Sequence, residues 1–136
     1  MRVFLDANVL FSASAAASIT GRLVDRVEQV ATLVTCELAI EEARRNVERK
    51  TPDNLERLKA LTDRIETAPS LMFPLPVELV EKDRPILCAA IRSGCGLLAT
   101  GDPRDFGHLY DQTIEGVTVV SLRRLAEWVV ERTGGA

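Results

Sequence analysis

The feature that most constrains this fold is an alternation of short apolar runs with longer helical patterns. Four runs, at residues 3–5, 32–35, 97–100 and 117–120, are apolar or β-branched and have the length of buried strands. Segments long enough to form helices lie between them. This order predicts an α/β fold of three layers, α/β/α, in which helices cover both faces of a mainly parallel central sheet.

Predicted helices occupy the segments between these runs. Apolar residues at helical spacing mark the first three, Asp53 provides an N-cap for the third, and Pro85 and Gly94 bound the fourth. The predicted helices cover residues 18–30, 36–50, 54–67, 83–93 and 122–132. The apolar stripes of the first and third are expected to pack in the core. The run 71–73, inside a proline-rich loop, is a candidate strand.

Length and composition are those of an ordinary globular chain. The 136 residues suit one domain, 1–136. There is no apolar run of about 20 residues and no signal-peptide pattern, so neither a membrane segment nor secretion is expected. Three cysteines without a CxxC motif and a single histidine argue against structural zinc. Reduced thiols in a cytoplasmic protein are expected instead.

The net charge of −3, taken alone, argues against a nucleic-acid-binding protein, since such proteins usually carry a basic surface. The balance changes if five acids gather at a single site. The rest of the chain then carries 15 acids against 17 bases, a small positive excess. A metal-loaded acidic site on such a body is able to accept a phosphate backbone.

Five acidic residues are candidates for this site. Asp6 directly follows the first predicted strand and Asp102 follows another, so both lie where open parallel sheets form their ligand crevices. The other three are Asp83, Asp105 and Glu42. Carboxylates crowded together raise one another's pKa unless a cation holds them ionised. Because oxygen ligands select hard ions, Mg²⁺ or Mn²⁺ is expected.

Glu41 and Glu42 are adjacent, and helical geometry decides between them. Ala43 and Val47 belong to the apolar face of the helix predicted over 36–50. Glu41 projects nearly opposite this face, towards water, whereas Glu42 lies on its flank. A flank position can reach a crevice at the end of the sheet, which favours Glu42.

Most of these acids also have a simpler explanation. Asp83 at a helix start would serve as an N-cap, and Asp102 in a Gly-Asp-Pro sequence would serve a turn. Glu42 alone would be a solvated helix residue. Asp6 differs, because an acid directly after an apolar strand has no capping role unless a helix follows immediately. The set is therefore more specific than any of its members.

Four segments of the chain form a recognisable pattern. They are the first strand with Asp6 and Asn8, the helix that carries Glu42, the helix start at Asp83, and the strand-Thr-Gly-Asp-x-x-Asp-Phe sequence at 97–106. With the strand at 117–120 they span nearly the whole chain. In this order they resemble the PIN-domain family of metal-dependent nucleases, and within it the VapC-like ribonuclease toxins of bacterial toxin–antitoxin pairs.

The resemblance implies hydrolysis of single-stranded RNA by water activated on a divalent cation. The direct ligands that it implies are Asp6, Asp83 and Asp102. Glu42 and Asp105 would complete the site as ligands or by orienting water, and Asn8 and Thr100 would fix the carboxylates by hydrogen bonds. The spacing does not decide between one ion and two.

Three arginines are candidates for contacts with RNA phosphates. Arg84 and Arg104 directly neighbour proposed site acids, and Arg45 follows Glu42 on its helix. For Arg45, a solvated charged face explains the position at least as well. Besides RNA, the expected partners are a cognate antitoxin protein and a second copy of the chain.

Three other classes of protein compete with this interpretation. A haloacid-dehalogenase-type phosphatase needs an Asp two residues after the first one, where this chain has Asn8. A receiver domain of a response regulator needs a Lys late in the chain, and the late predicted strands bring none. A PIN-like scaffold that binds without catalysis is disfavoured only by the complete set of acids.

Overall fold

The computed structural model of the protein describes residues 1–134. Across this part of the chain, six strands form one sheet. They are β1 (Arg2–Leu5), β2 (Thr32–Cys36), β3 (Glu66–Ala68), β4 (Leu97–Ala99), β5 (Thr113–Ile114) and β6 (Val117–Val120). Their order in the sheet is β3-β2-β1-β4-β6-β5, and only the short β5 runs antiparallel to its neighbour.

Seven α-helices within residues 1–134 surround this sheet. They are α1 (Ala7–Ala13), α2 (Ile19–Val30), α3 (Glu37–Lys50), α4 (Leu55–Asp63), α5 (Arg84–Arg92), α6 (Pro103–Phe106) and α7 (Leu122–Thr133). Single 3₁₀ turns lie at Pro52–Asn54, Glu81–Asp83 and Gly107–Leu109. The predicted three-layer α/β/α architecture with a mainly parallel sheet is confirmed. The predicted domain 1–136 includes residues 135–136, which lie outside the described range.

The core lies between the central strands and the helices that cover them. Val3, Phe4 and Leu5 of β1 are fully buried, as expected for a parallel strand enclosed on both faces. Both predicted apolar stripes contribute to the core, with Val27 of α2 and with Leu58 and Leu61 of α4 buried. Val24 of α2 is buried as well, although the predicted stripe did not include it.

The third predicted helix ends earlier than the sequence pattern indicates. The prediction of a helix over 54–67 is wrong beyond Asp63, because Glu66–Ala68 forms β3 instead. This strand pairs in parallel with β2, with Glu66 opposite Val34. Pairing with a neighbouring strand outweighs a local helical pattern, since propensity is a weak guide where tertiary contacts intervene.

Two smaller predictions are also wrong. Asp53 is not the N-cap of α4, because Pro52 starts a 3₁₀ turn and Asn54 takes the cap position. Residues 71–73 form no strand. The carbonyl group of Phe73 accepts a hydrogen bond from the Cys88 thiol, with a donor–acceptor distance of 3.4 Å, rather than one from a neighbouring strand.

The order of the strands determines where a ligand site can form. After β1 the chain builds β2 and β3 on one side, and it then crosses back to place β4 on the other side of β1. The crevice at the carboxyl ends of β1 and β4 is therefore the topological switch point, where open α/β sheets bind their ligands. This order differs from the 2-1-3-4-5 order of receiver domains, which leaves that alternative without support.

None of the helices formed by residues 1–134 combines the length and the apolar character needed to cross a bilayer.

Candidate metal centre at the carboxyl ends of the central strands

Asp6 lies at the exact point where β1 ends and α1 begins. Its backbone N–H donates to the carbonyl oxygen of Ala99 at 3.1 Å, which extends the pairing between β1 and β4 by one residue. Its Oδ1 accepts a hydrogen bond from the N–H of Ala7 at 2.7 Å and so caps α1. An acid directly after a strand was expected to have a capping role only if a helix follows immediately, and α1 does begin at the next residue. Asp6 is only 3% exposed.

A single hydroxyl group joins the ends of β1 and β4. Thr100 donates its Oγ1–H to Oδ2 of Asp6 at 2.9 Å. Oγ1 of Thr100 also accepts a hydrogen bond from the N–H of Asp102 at 3.2 Å. Asn8 donates from Nδ2 to this oxygen at 3.3 Å, and its Oδ1 accepts from the N–H of Gly101 at 2.7 Å. Thr100 thus bonds directly to the Asp6 carboxylate, whereas the hydrogen bonds of Asn8 go to Thr100 and to the backbone of Gly101. Their role in fixing the carboxylates stays a prediction.

Asp102 and Asp105 approach each other through a helix cap. Oδ1 of Asp102 accepts hydrogen bonds from the N–H of Arg104 at 3.0 Å and of Asp105 at 3.2 Å, which caps the short α6. The simpler explanation of Asp102 as a turn and cap residue is thus part of its role. The same cap holds Asp105 beside the crevice.

Helix capping does not explain the position of the Asp83 side chain. It ends a 3₁₀ turn and precedes α5, yet its side chain makes no capping hydrogen bond. It is 6% exposed, and its Oδ2 is buried without a hydrogen-bond partner among the described residues. One carboxylate oxygen each from Asp83, Asp102 and Asp105 lie within 4.8 Å of one another. We call these three residues the acid cluster.

Burial and crowding change the acidity of these groups. Burial, and to a smaller extent the hydrogen bond with Asp105, raise the pKa of Asp83 to about 8. The hydrogen bond with Asp83 holds the pKa of Asp105 below its usual value, with help from Lys82. Burial also raises the pKa of Asp6 to about 6, although hydrogen bonds from Ala7 and Thr100 oppose this shift. Without a cation, at least one of these carboxyls therefore holds a proton near neutral pH.

Glu42 borders the same crevice, whereas Glu41 does not. Glu41 is exposed and forms an ion pair with Arg44, at 2.5 Å between the guanidinium and the carboxylate. Glu42 is half-buried on α3. Its negative charge adds to the effect of burial in raising the pKa of Asp6, which indicates that the two carboxylates are near each other.

Two of the three predicted arginines directly neighbour acids of the site in the chain. Arg84 follows Asp83 directly and is half-buried, and Arg104 is exposed on α6. Neither guanidinium group forms a hydrogen bond or ion pair with any residue in 1–134. Arg45 is exposed on α3, where its charge helps to lower the pKa of Glu41.

Two residues at the site were not predicted from the sequence. Lys82 places its Nζ 3.4 Å from Oδ2 of Asp105, and the charge of Asp83 raises its pKa, with further contributions from Asp105 and Glu42. Tyr110 donates its hydroxyl to the carbonyl oxygen of Thr100 at 3.0 Å. The position of Lys82 next to Asp83 in the chain was a usable signal, whereas nothing in the sequence marked Tyr110.

The acid cluster fits a hard divalent cation. Its donors are carboxylate oxygens only, which is the ligand type that Mg²⁺ and Mn²⁺ prefer. The buried, unpartnered Oδ2 of Asp83 is a free ligand atom whose isolation is costly without a positive partner.

No family model and no curated protein matches the sequence. Solved structures do match it.

Two similar structures establish the fold. One is a chain of VapBC2 from Rickettsia felis, solved bound to a DNA fragment from the promoter, with 14% identity and a TM-score of 0.65. The match covers 89% of this chain and 98% of that one. The other is a PilT N-terminus domain protein from the hyperthermophilic archaeon Sulfolobus solfataricus, with 15% identity and a TM-score of 0.56. That match covers 96% of this chain and 95% of the other.

This chain has the PIN-domain fold. PIN stands for the PilT N-terminus, and the matches extend over most of both chains rather than over a shared fragment. At these identities the likeness establishes the PIN fold alone. The chemistry of the site therefore has to be argued from the residues of this chain.

Proposed function

We propose that this PIN-fold protein is a divalent-metal-dependent endoribonuclease that hydrolyses single-stranded RNA, and that it is the toxin component of a toxin–antitoxin pair. The observation that carries the nuclease proposal is the buried Oδ2 of Asp83. This oxygen has no hydrogen-bond partner in the described chain, and it belongs to an acid cluster at the topological switch point. A structural role for Asp83 leaves this isolation unexplained.

The residues that would hold Mg²⁺ or Mn²⁺ are those of the acid cluster, together with Asp6 beside it. Such a cation, when bound, supplies acidified water and offsets the negative charge that develops on a phosphate. Asp6 keeps its orientation through hydrogen bonds from Ala7 and Thr100. Its two hydrogen bonds leave lone pairs available, because a carboxylate has about four acceptor positions.

The remaining residues would bind the RNA and orient the attacking water. Glu42, whose charge acts on Asp6, would accept a hydrogen bond from such a water and so orient it towards the phosphorus. Arg84 and Arg104 flank the acids in the chain, and their unpaired guanidinium groups suit phosphates on either side of the cleaved bond. Arg45 on α3 is the third candidate for a phosphate contact.

The proposal extends to partners. One similar structure is a VapBC2 complex with promoter DNA, which supports a cognate antitoxin as the binding partner of this chain. A homodimer and a cytoplasmic location belong to the same proposal. The three cysteines are all buried and unbridged, which agrees with a reducing compartment.

Cleavage of a labelled single-stranded RNA tests the nuclease proposal. Wild-type protein is expected to cleave with Mg²⁺ or Mn²⁺ and to stop when EDTA is added. Asp6→Asn and Asp102→Asn are expected to abolish cleavage while the protein stays folded, since Asn retains the helix-capping ability of Asp. Asp63→Asn on α4 is a matched control, because it removes an exposed carboxylate that pairs only with Lys59 in the described chain.

The competing function is a PIN-fold scaffold that binds its partners without catalysis. Unchanged cleavage in Asp6→Asn or Asp102→Asn would contradict the assignment of the site. Absence of cleavage in the wild-type protein, with cation and varied RNA, would favour the scaffold.

A further inference from the structure

We propose that Lys82 is a built-in counter-ion of the acid cluster, which a divalent cation displaces from Asp105 so that its ammonium group becomes available to an RNA phosphate. The proposal rests on the proposed nuclease function. It assigns a positioning role to a residue outside the acidic set. It also predicts opposite effects of one substitution on cation binding and on RNA binding.

The geometry of the pair favours such an exchange. Nζ of Lys82 lies 3.4 Å from Oδ2 of Asp105, an acid whose other contacts belong to the cluster. The Asp105 side chain is only 12% exposed, whereas that of Lys82 is 63% exposed. The carboxylate is therefore held in place while the ammonium is free to move on its flexible four-carbon stem.

The charges explain why the ammonium rests there and why a divalent cation would displace it. Asp105 holds the ammonium directly, and Asp83 and Glu42 attract it as well when they are ionised. A divalent cation in the cluster would carry twice the charge of Lys82 and would have several carboxylate oxygens as ligands. It would repel the ammonium, and Lys82 is the group that can leave.

A displaced Lys82 would join Arg84 and Arg104, which directly neighbour acids of the cluster in the chain. Arg84 and Arg104 suit the fixed, two-pronged contact that a phosphate offers to guanidinium, whereas a lysine supplies a mobile point charge. Binding of the cation would thus free the positive charge of Lys82 to attract the RNA backbone. An apo protein would bind RNA less well than the loaded one for this reason alone.

The chain contains a second lysine–aspartate pair that serves as a matched control. Nζ of Lys59 lies 3.2 Å from Oδ2 of Asp63 within α4, and both side chains are largely exposed. This pair has the same chemistry and a similar distance. It differs in that no group of three acids able to hold an ion lies beside it within residues 1–134.

The first measurement is Mn²⁺ binding by calorimetry. Lys82→Gln is expected to bind Mn²⁺ about threefold to tenfold more tightly than the wild type, as removal of one positive charge near a divalent ion in a water-like dielectric predicts. Lys82→Arg, which keeps the charge, is expected to stay near the wild type. Lys59→Gln is expected to show no change.

The second measurement is binding of a labelled single-stranded RNA at saturating Mn²⁺, on an Asp6→Asn background that prevents cleavage. Lys82→Gln is expected to weaken RNA binding and to reduce the slope of log affinity against log salt by about 0.7, the value for one phosphate contact on a single strand. Lys59→Gln again provides the baseline.

Three results would overturn the proposal. Equal behaviour of Lys82→Gln and Lys59→Gln in both measurements would make Lys82 an ordinary surface lysine. Weaker Mn²⁺ binding by Lys82→Gln would mean that the lysine organises Asp105 for the cation instead of competing with it. If the wild-type protein bound no Mn²⁺, the nuclease proposal would fail as well. If the wild type bound Mn²⁺ and Lys82→Gln had the same affinity for Mn²⁺ and for RNA, only the role of Lys82 would be overturned.

Discussion

Charged side chains are paired at the amino end of the central strands, whereas acidic side chains are crowded together at the carboxyl end. At the amino end, Arg2 donates from Nε to the carbonyl oxygen of Ser93 at 2.8 Å and forms an ion pair with Glu66. At the carboxyl end, Asp83 is buried with an oxygen that lacks a partner, and Lys82 supplies one ammonium to several acids.

This difference separates a region that stabilises the fold from one that is adapted to bind. A paired charge at the surface gains little from a further ligand, whereas crowded acids repel one another until a cation arrives. Substitutions at the two ends should therefore affect different measured quantities. Cleavage and cation binding report on the carboxyl end, and stability alone reports on the amino end.

The largest effect is expected from Asp83→Asn. Cleavage of single-stranded RNA should fall by at least about 100-fold, since even the outer-shell partners of metal ligands change activity by about 10- to 100-fold. Glu66→Gln at the amino end should leave cleavage unchanged in the same assay. A loss of cleavage in both variants would mean that the measurement reports on folding rather than on the site.

The next largest effect concerns cation binding and stability. Mn²⁺ at about 100 times its Kd should raise the free energy of unfolding by about 2.7 kcal/mol, and EDTA should reverse the gain. Asp83→Asn should lose most of this stabilisation, whereas Glu66→Gln should keep it. Denaturant unfolding with and without Mn²⁺ measures both, and equal gains in the two variants would place the cation elsewhere.

A smaller effect is the pH dependence of the protein in EDTA. The pKa values of Asp83 and Asp6 are raised in the folded state, to about 8 and about 6, so the folded protein holds more protons than the unfolded chain. Stability is therefore fully present below the unfolded pKa of about 4 and falls as the pH rises towards 8. Asp83→Asn should lose less stability than the wild type between pH 5 and pH 8. Unfolding curves at both pH values give the comparison, and equal losses would contradict the shift at Asp83.

The smallest effect is expected at the amino end. Glu66→Gln removes an ion pair between side chains that are both partly exposed, so the melting temperature should fall only slightly at low salt. The difference should disappear at about 1 M salt, where such pairs are screened. A large, salt-independent loss of stability would show that the two ends differ less than we infer.

Elements with strong local signals could be predicted from the sequence. The helices α2, α3, α5 and α7 repeat apolar residues over several turns, and β1 is a short apolar run, so their patterns survive without tertiary information. β3 and β5 are only three and two residues long. They are strands because they pair with β2 and β6, respectively. No local pattern marks such strands.

The site shows the same division between local and distant information. The sequence predicts that Asp6 and Asp102 follow strands, because the end of a strand is a local feature. The caps that these residues make could not be predicted, since α1 and α6 are short and begin directly after the acids. The contact of Lys82 with Asp105 depends on how a 3₁₀ turn sits against α6, which periodicity does not specify.

The Thr100 hydroxyl has a consequence for any attempt to change the ion that the site accepts. It bonds to the carboxylate of Asp6 and to the backbone N–H of Asp102, so one oxygen links the ends of the two strands that carry these acids. Altering either acid alone leaves the spacing between them governed by the same oxygen. A redesign of ion selectivity would have to begin at position 100, where serine would preserve the coupling and valine would release the two strand ends from each other.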